Sequence, residues 1–298
     1  KERRRRMIVN ASGRTDIPAF YFDWFMNRLK EGWFDCRNPF APAKISRIYA
    51  EDIDAFMFCT KNPIPMLPYL DQIDKPVLMD VTITGYHKEL EPNVPDKGLI
   101  LDAVRQLSEK LGKKYVSVRY DPIFISKRYT VDYHLRAFDK LCNLLDGYVE
   151  EIVISFLDEY KNVLRNQDEI GYLPITQEDC KRLAEGFLAS ANAHGIHVFT
   201  CHEGNLLEPY GISSGACFSQ KKAYEMTGKA LQKWKARDCG CVQMADIGVY
   251  NTCLPGCRYC YANFDEKKVM DNFRDHDPDS SLLVGHIDPN DEIKVRRK

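Results

Sequence analysis

The stretch Tyr115-Val-Ser-Val-Arg-Tyr-Asp-Pro122 decides the fold. A β-branched and aromatic run ends in the polar group Arg119-Tyr-Asp-Pro122, which is how a strand reads where it reaches a loop. Runs of the same kind occupy residues 7–11, 55–59, 77–84, 151–156 and 196–200. Between several of them lie segments with helical spacing, at 19–30, 100–111, 132–145 and 177–194. Thr176 with Asp179 three residues on marks a helix start, and Gly195 a stop. Strand–helix alternation of this length predicts a parallel sheet with helices outside, either open or closed as a barrel. From Gly204 to Asp238 the pattern weakens into loops and one charged helix over 220–235, and a last apolar run at 243–250 is a further strand. The chain therefore divides into strands and helices over 1–200, a cysteine-containing loop region over 201–242, and a final strand, loop and tail over 243–298.

In a parallel α/β sheet the residues that do chemistry lie at the C-terminal ends of the strands. Polar clusters stand at each such end here: Asn10-Ala-Ser-Gly-Arg-Thr-Asp-Ile-Pro18, Cys59-Thr-Lys-Asn-Pro63, Thr82-Ile-Thr-Gly85, Arg119-Tyr-Asp-Pro122, Ser155-Phe-Leu-Asp158 and Cys201-His-Glu-Gly204. Six of them at one end form a cavity. For a single residue such as Asp16, Asn62 or Asp121, helix capping is an equally natural role.

The chain has 11 cysteines. Three sit on one short loop, Tyr250-Asn-Thr-Cys253-Leu-Pro-Gly-Cys257-Arg-Tyr-Cys260-Tyr-Ala-Asn263, with an aromatic residue before the last. Three thiolates can hold three irons of a [4Fe–4S] cube and leave the fourth iron open to a small molecule. Structural zinc is the plain alternative, although zinc sites are usually built from paired knuckles. Four further cysteines, Cys201, Cys217, Cys239 and Cys241, lie just upstream, and four is the number a fully ligated cluster or a structural zinc requires. Cys36, Cys59, Cys142 and Cys180 stand singly and read as small buried hydrophobes or tolerated thiols.

Composition suits a soluble enzyme expected in the cytoplasm, where thiols stay reduced. The 298 residues are 44% hydrophobic with a net charge of −1, so no global field points to nucleic acid or a membrane. The basic run Lys1-Glu-Arg-Arg-Arg-Arg6 reads as a solvated edge. No apolar stretch approaches the roughly 18 residues of a membrane span, and no apolar signal region follows the basic run.

The cysteine loop, with Tyr259 in its aromatic slot, resembles the signature of the radical S-adenosylmethionine (SAM) enzymes. The segments Phe58-Cys-Thr-Lys-Asn62, Asp80-Val-Thr-Ile-Thr84 and Val116-Ser-Val-Arg-Tyr-Asp-Pro-Ile123 look like strands of the spore-photoproduct-lyase-like branch of that family. Over nearly its full length the chain also resembles the radical SAM-like DUF1848 family, in Ser12 to Pro18, Thr-Lys-Asn-Pro, Arg-Tyr-Asp-Pro and Cys-Gly-Cys before the triplet. The resemblance implies a partial or complete TIM-type barrel. It is circularly permuted, because the cluster loop, which follows the first strand elsewhere in the family, here follows the last.

The same resemblance implies that Cys253, Cys257 and Cys260 hold the cluster that binds SAM, whose reductive cleavage gives a 5′-deoxyadenosyl radical. Cys201, Cys217, Cys239 and Cys241 would hold a second, auxiliary [4Fe–4S] cluster. Ser12, Arg14, Thr15 and Asp16 take the position that contacts the SAM amino group, with Asp16 as cation partner. Arg119 has a fork suited to the SAM carboxylate, Lys61 is a further carboxylate or substrate contact, and Tyr259 sets its backbone near the adenine. Tyr120, Asp121 and Glu203 are the candidates for proton transfer. The implied partners are a flavodoxin- or ferredoxin-type reductant and a small-molecule or nucleobase-containing substrate, with no membrane. The rival readings are a zinc-binding scaffold and an Fe–S electron-transfer protein. The scaffold leaves the polar strand ends without a purpose, and an electron-transfer protein needs neither an α/β framework of this size nor an open iron.

Overall fold

The computed structural model describes residues 7–235 and 239–296; the basic run at Lys1 to Arg6 lies outside them. Twelve strands are present among the described residues: β1 (Met7–Asn10), β2 (Trp33–Asn38), β3 (Ala41–Tyr49), β4 (Ile53–Thr60), β5 (Val77–Thr82), β6 (Val116–Ile123), β7 (Ile125–Ser126), β8 (Glu151–Phe156), β9 (Tyr172–Leu173), β10 (His197–Thr200), β11 (Met244–Asp246) and β12 (Glu292–Val295). Seven form one sheet in the order β10-β8-β6-β5-β4-β1-β11. Every pair in it is parallel. The six predicted runs up to residue 200 are all members of this sheet.

The seventh member, β11, lies beside the first strand of the chain, with Ile8 opposite Met244 and Asn10 opposite Asp246. It is shorter than the expected 243–250. The Asp246 carboxylate accepts the Gly248 N–H at 2.7 Å, a local side-chain bond that competes with the ladder and turns the chain away. The sheet's two edges are not left bare. Thr200 N donates to Ser213 O at 3.0 Å, Gly215 N to Thr200 O at 2.9 Å, and Val242 N to Phe218 O at 2.9 Å. The segment 213–218 thus hydrogen-bonds to β10 at one end and to the approach of β11 at the other, which covers edges that would otherwise pair with a foreign strand.

The helices are α1 (Ile17–Phe20), α2 (Phe22–Glu31), α3 (Lys97–Leu111), α4 (Val131–Leu145), α5 (Lys161–Arg165), α6 (Gln167–Ile170), α7 (Gln177–Ala193), α8 (Gln220–Thr227) and α9 (Glu266–Arg274). The expected capping box closes the start of α7, where Thr176 Oγ1 accepts the Asp179 N–H and Asp179 accepts the Thr176 N–H. The segment expected as one helix over 19–30 is divided into α1 and α2 at Tyr21. The charged helix expected over 220–235 stops at Thr227, because Gly228 turns left-handed at φ +67°. The small sheet β12-β3-β2 was not anticipated.

Both faces of the large sheet are apolar, as parallel sheets require. Val9, Phe56, Phe58, Val81, Val118, Tyr120 and Ile152 pack under the helices. On the opposite face Ile8, Ala55, Met57, Leu78, Val153, Phe199 and Met244 pack against Phe218, Val242 and three cysteines. Among the described residues, no helix is long and apolar enough to cross a membrane.

Candidate metal and cofactor site

The cysteine loop follows β11 and is fastened from several sides by asparagine amides. Asn162 Nδ2 donates to the Cys260 carbonyl, and to Asn263 O at 3.1 Å. Asn166 Nδ2 reaches Arg258 O at 2.7 Å, and Asn93 Nδ2 reaches Leu254 O at 3.0 Å. Asn263 pairs with the backbone of Cys253 through both ends of its amide. Gly256 makes the turn between the first two cysteines at φ +66°, a conformation a side chain resists. Irregular backbone of this kind needs outside partners, and the amides supply them. Asn162→Ala removes two donors from a buried side chain. It is expected to cost about 1–3 kcal/mol and to lower Tm by several degrees in a thermal scan; an unchanged Tm would show that the loop is held elsewhere.

The three thiols are half-buried, and Cys253 and Cys257 lie close enough to Cys260 for it to raise their pKa. Burial is the leading cause of the rise, and for all three it is opposed by the Lys61 ammonium. Three soft donors facing a fixed cation suit a group that is anionic once thiolates hold it, as an iron–sulfur cube is. Among the described residues, no three His, Cys, Asp or Glu side chains stand in the geometry of a bound ion, so the case rests on donor chemistry and placement.

The loop after β1 closes one side of this site. Asp16 caps α1 by accepting the Ala19 N–H at 3.1 Å, and its other oxygen accepts the Lys61 N–H at 2.9 Å. Burial outweighs these bonds and lifts its carboxyl to about 6. The capping role is therefore real, and the same bonds tie the end of β4 to the loop. Thr15 Oγ1 accepts from Thr252 Oγ1 at 2.6 Å, and Arg14 donates to Asp246 O at 3.0 Å while stacking over Tyr250. A Cβ at Gly13 would sit 2.2 Å from the Asp246 carboxylate, so any larger residue there would have to push that side chain aside. Ser12 Oγ is buried with no hydrogen-bond partner, a polar group left for a ligand.

Lys61 Nζ bonds Glu91 at 2.9 Å and lies over the Tyr259 ring. Glu91 is itself buried and also accepts from Thr84 Oγ1 at 2.7 Å and from the Tyr259 hydroxyl. Sequence reading missed Glu91, which sits in a loop with no periodic signal.

A second group of cysteines lies on the other face of the sheet. Cys217 Sγ is 3.5 Å from Cys201 Sγ and within reach of Cys241. Cys201, Cys217 and Cys241 are therefore brought together, and Cys239 is buried in the same apolar cluster. Cys59, read from sequence as a lone thiol, joins them, because it pairs in register with Asp80 and faces Cys217. Arg119 occupies the middle: Nη1 reaches Cys217 Sγ at 2.9 Å and Asp80 at 3.5 Å, and Nε and Nη2 hold Asp121 at 3.0 and 2.5 Å. Its fork is thus directed to the second cysteine group rather than left open. Asp121 also accepts from Ser155 at 3.2 Å, and Glu203 accepts the Phe156 N–H at 2.8 Å. Tyr120 is not brought to this site. Alternation along β6 turns it to the helix side, where it bonds His134 Nδ1 at 2.8 Å and packs on Phe138 and Phe187.

This arrangement defines an α/β protein with a cysteine-lined site at one end of a parallel sheet. The chain belongs to the family described as Domain of unknown function (DUF1848), whose profile matches residues 8–262. No curated protein matches it. Among solved structures it is similar to a sugar phosphate isomerase/epimerase from Parabacteroides distasonis ATCC 8503, at 12% identity and a TM-score of 0.25, over 68% of this chain and 53% of that one. It is also similar to the carboxyl transferase domain of Rhizobium etli pyruvate carboxylase with pyruvate, at 9% identity and a TM-score of 0.28, over 72% of this chain and 40% of that one. The chain thus spans about half the length of these solved relatives or less.

Proposed function

We propose that this protein is a radical SAM enzyme built on a partial barrel, with β11 in the position of the first strand. The observation that carries the reading is the CxxxCxxC loop directly after β11, at the same sheet end as Ser12, Asp16 and Lys61. Cys253, Cys257 and Cys260 would hold a [4Fe–4S] cluster with one iron left open. When bound, that cluster and SAM supply a 5′-deoxyadenosyl radical, and the hard chemistry is theirs.

The chain's own residues bind, orient and exclude water. Ser12 Oγ and the Asp16 carboxylate are the groups available to the SAM ammonium. Tyr259 fills the wall behind the loop with its hydroxyl anchored on Glu91. Asp121, which accepts from Ser155, and Glu203, which accepts the Phe156 N–H, remain the candidates to hold a proton. Cys201, Cys217, Cys239 and Cys241 would hold a second, auxiliary [4Fe–4S] cluster beside them. The reductant would be of the flavodoxin or ferredoxin kind.

Reductive SAM cleavage tests this directly. Anaerobically reconstituted protein, reduced with dithionite or a flavodoxin system, is expected to form 5′-deoxyadenosine and methionine slowly without added substrate, detected by chromatography and mass spectrometry. Loaded, reduced protein that neither binds SAM in calorimetry nor forms deoxyadenosine would overturn the reading in favour of electron transfer. Colourless, zinc-loaded protein would favour the scaffold.

A further inference from the structure

A buried charge cluster under the cysteine loop has no part in SAM binding as just described. Glu91 is 2% exposed and carries three hydrogen bonds on one oxygen, from Lys61, Thr84 and Tyr259. Its other oxygen lies 3.7 Å from Lys97 Nζ. Lys97 is spent on backbone carbonyls, at Thr84 O and Tyr86 O. Lys61 differs, because its ammonium bonds Glu91 at 2.9 Å and lies over the ring of Tyr259, the residue between Cys257 and Cys260 in the loop, and its charge acts on all three thiols. Its backbone N–H is fixed on Asp16, and its charge lies 5.5 Å from the Tyr259 ring centre. Burying an ion pair is a poor route to stability, so the pair calls for another explanation.

We infer that Lys61, positioned by Glu91, sets the reduction potential of an iron–sulfur cluster held by Cys253, Cys257 and Cys260. This rests on the iron–sulfur reading of that loop. A [4Fe–4S] core of charge +2 with three thiolates carries one net negative charge, and reduction by one electron gives it a second. A fixed cation at the thiolates stabilises the reduced form more than the oxidised one and raises the potential. Glu91 acts in two ways. It holds the ammonium against the loop, and its own negative charge offsets part of the effect. The two residues therefore act on the cluster with opposite signs, which a merely structural pair would not do. Lys61 is a positioning and charge-setting residue in this account, not a contact for the SAM carboxylate.

The test is a potentiometric titration of the full chain, reconstituted with iron and sulfide and followed by electron paramagnetic resonance. The signal absent from the Cys253→Ala, Cys257→Ala, Cys260→Ala protein identifies the relevant cluster. Lys61→Met is expected to lower the reduction equilibrium constant at least tenfold, a shift of about 59 mV or more to lower potential for one electron. Lys61→Arg keeps the charge and is expected to stay near wild type, whereas Glu91→Gln is expected to shift the potential upward. An unchanged potential in iron-loaded Lys61→Met overturns the inference. So does an equal shift in Lys61→Met and Lys61→Arg, because packing would then be the cause. If Lys61→Met fails to load iron while Lys61→Arg loads, Glu91→Gln decides: an upward shift supports the charge effect, and none refutes it. Wild-type protein that takes up no iron refutes the iron–sulfur reading itself, and this inference falls with it.

Discussion

Replacing Cys253, Cys257 and Cys260 together with alanine is expected to remove about four irons per chain from a wild-type content of about eight, and to abolish deoxyadenosine formation. The first half of that expectation follows from separation. The triplet loop is held by Asn93, Asn162, Asn166 and Asn263, none of which touches the second cysteine group. The second group is embedded with Phe199, Phe218 and Val242 on the other face of the sheet, where packing and the Arg119 contact to Cys217 hold it apart from the loop. Tyr261 lies within electrostatic range of both groups, at Cys260 on one side and Cys59 and Arg119 on the other. The three substitutions leave Tyr261, the asparagines and the loop backbone in place, so four irons should remain. The second half follows because only the triplet leaves an iron without a protein ligand. Loss of all iron would show that the two centres load as one, and the assignment of four separate ligands to the second would be wrong. A wild-type content of about four irons, removed entirely by the triple change, would leave Cys201, Cys217, Cys239 and Cys241 to another metal or to none.

What the sequence made legible, and what it did not, follows from the range of the signals. The strands of the large sheet were readable because burial on both faces gives short, dense runs of Val, Ile, Phe and Met. The cysteine spacings were readable for a similar reason, since donor residues close in sequence stay close in space. The small sheet β12-β3-β2 was missed because β3 and β12 carry little buried apolar surface and β12 reaches β3 from nearly 250 residues further along the chain. Tyr120 illustrates a register limit. Arg119-Tyr-Asp121 names three polar residues in a row, but a strand sends the middle one to the opposite face, and only the sheet's layering says which. Cys59 and Glu91 were invisible for the complementary reason. Each acquires its neighbours entirely through tertiary structure: Cys59 through its pairing with Asp80, and Glu91 through a loop that brings it to Lys61 and Tyr259. Asp16 shows the converse, since helix capping and proximity to the cysteine loop are both satisfied by one carboxylate.

Arg119→Ala is expected to be strongly destabilising, and to cost the second cysteine group any iron it holds. Asp80 is fully buried, neither of its oxygens has a hydrogen-bond partner, and burial pushes its carboxyl up to about 6. Arg119, 3.5 Å away, is the main opposing cation. Removing it leaves Asp80 beside Asp121, with the Ser155 hydroxyl on Asp121 and the Lys222 charge as the weaker remaining counter-charge for Asp80. Breaking a buried pair in this way costs about 3–5 kcal/mol, which for a domain of this size lowers Tm by on the order of 10 °C. Lysine cannot restore the arrangement, because a single ammonium does not span Asp121, Asp80 and Cys217 as the guanidinium does. Arg119→Leu combined with Asp80→Leu should be less damaging than Arg119→Ala alone, since no unpaired charge remains at Asp80. The thermal scan separates charge from packing: a double change that is worse than the single one would mean that volume, not the ion pair, holds this face together. Iron analysis separates the two centres. If the Arg119 contact to Cys217 stabilises the second group, Arg119→Ala should lose iron there while the triplet keeps its own. Full iron retention with an unchanged Tm would show that neither Asp80 nor Cys217 depends on this guanidinium.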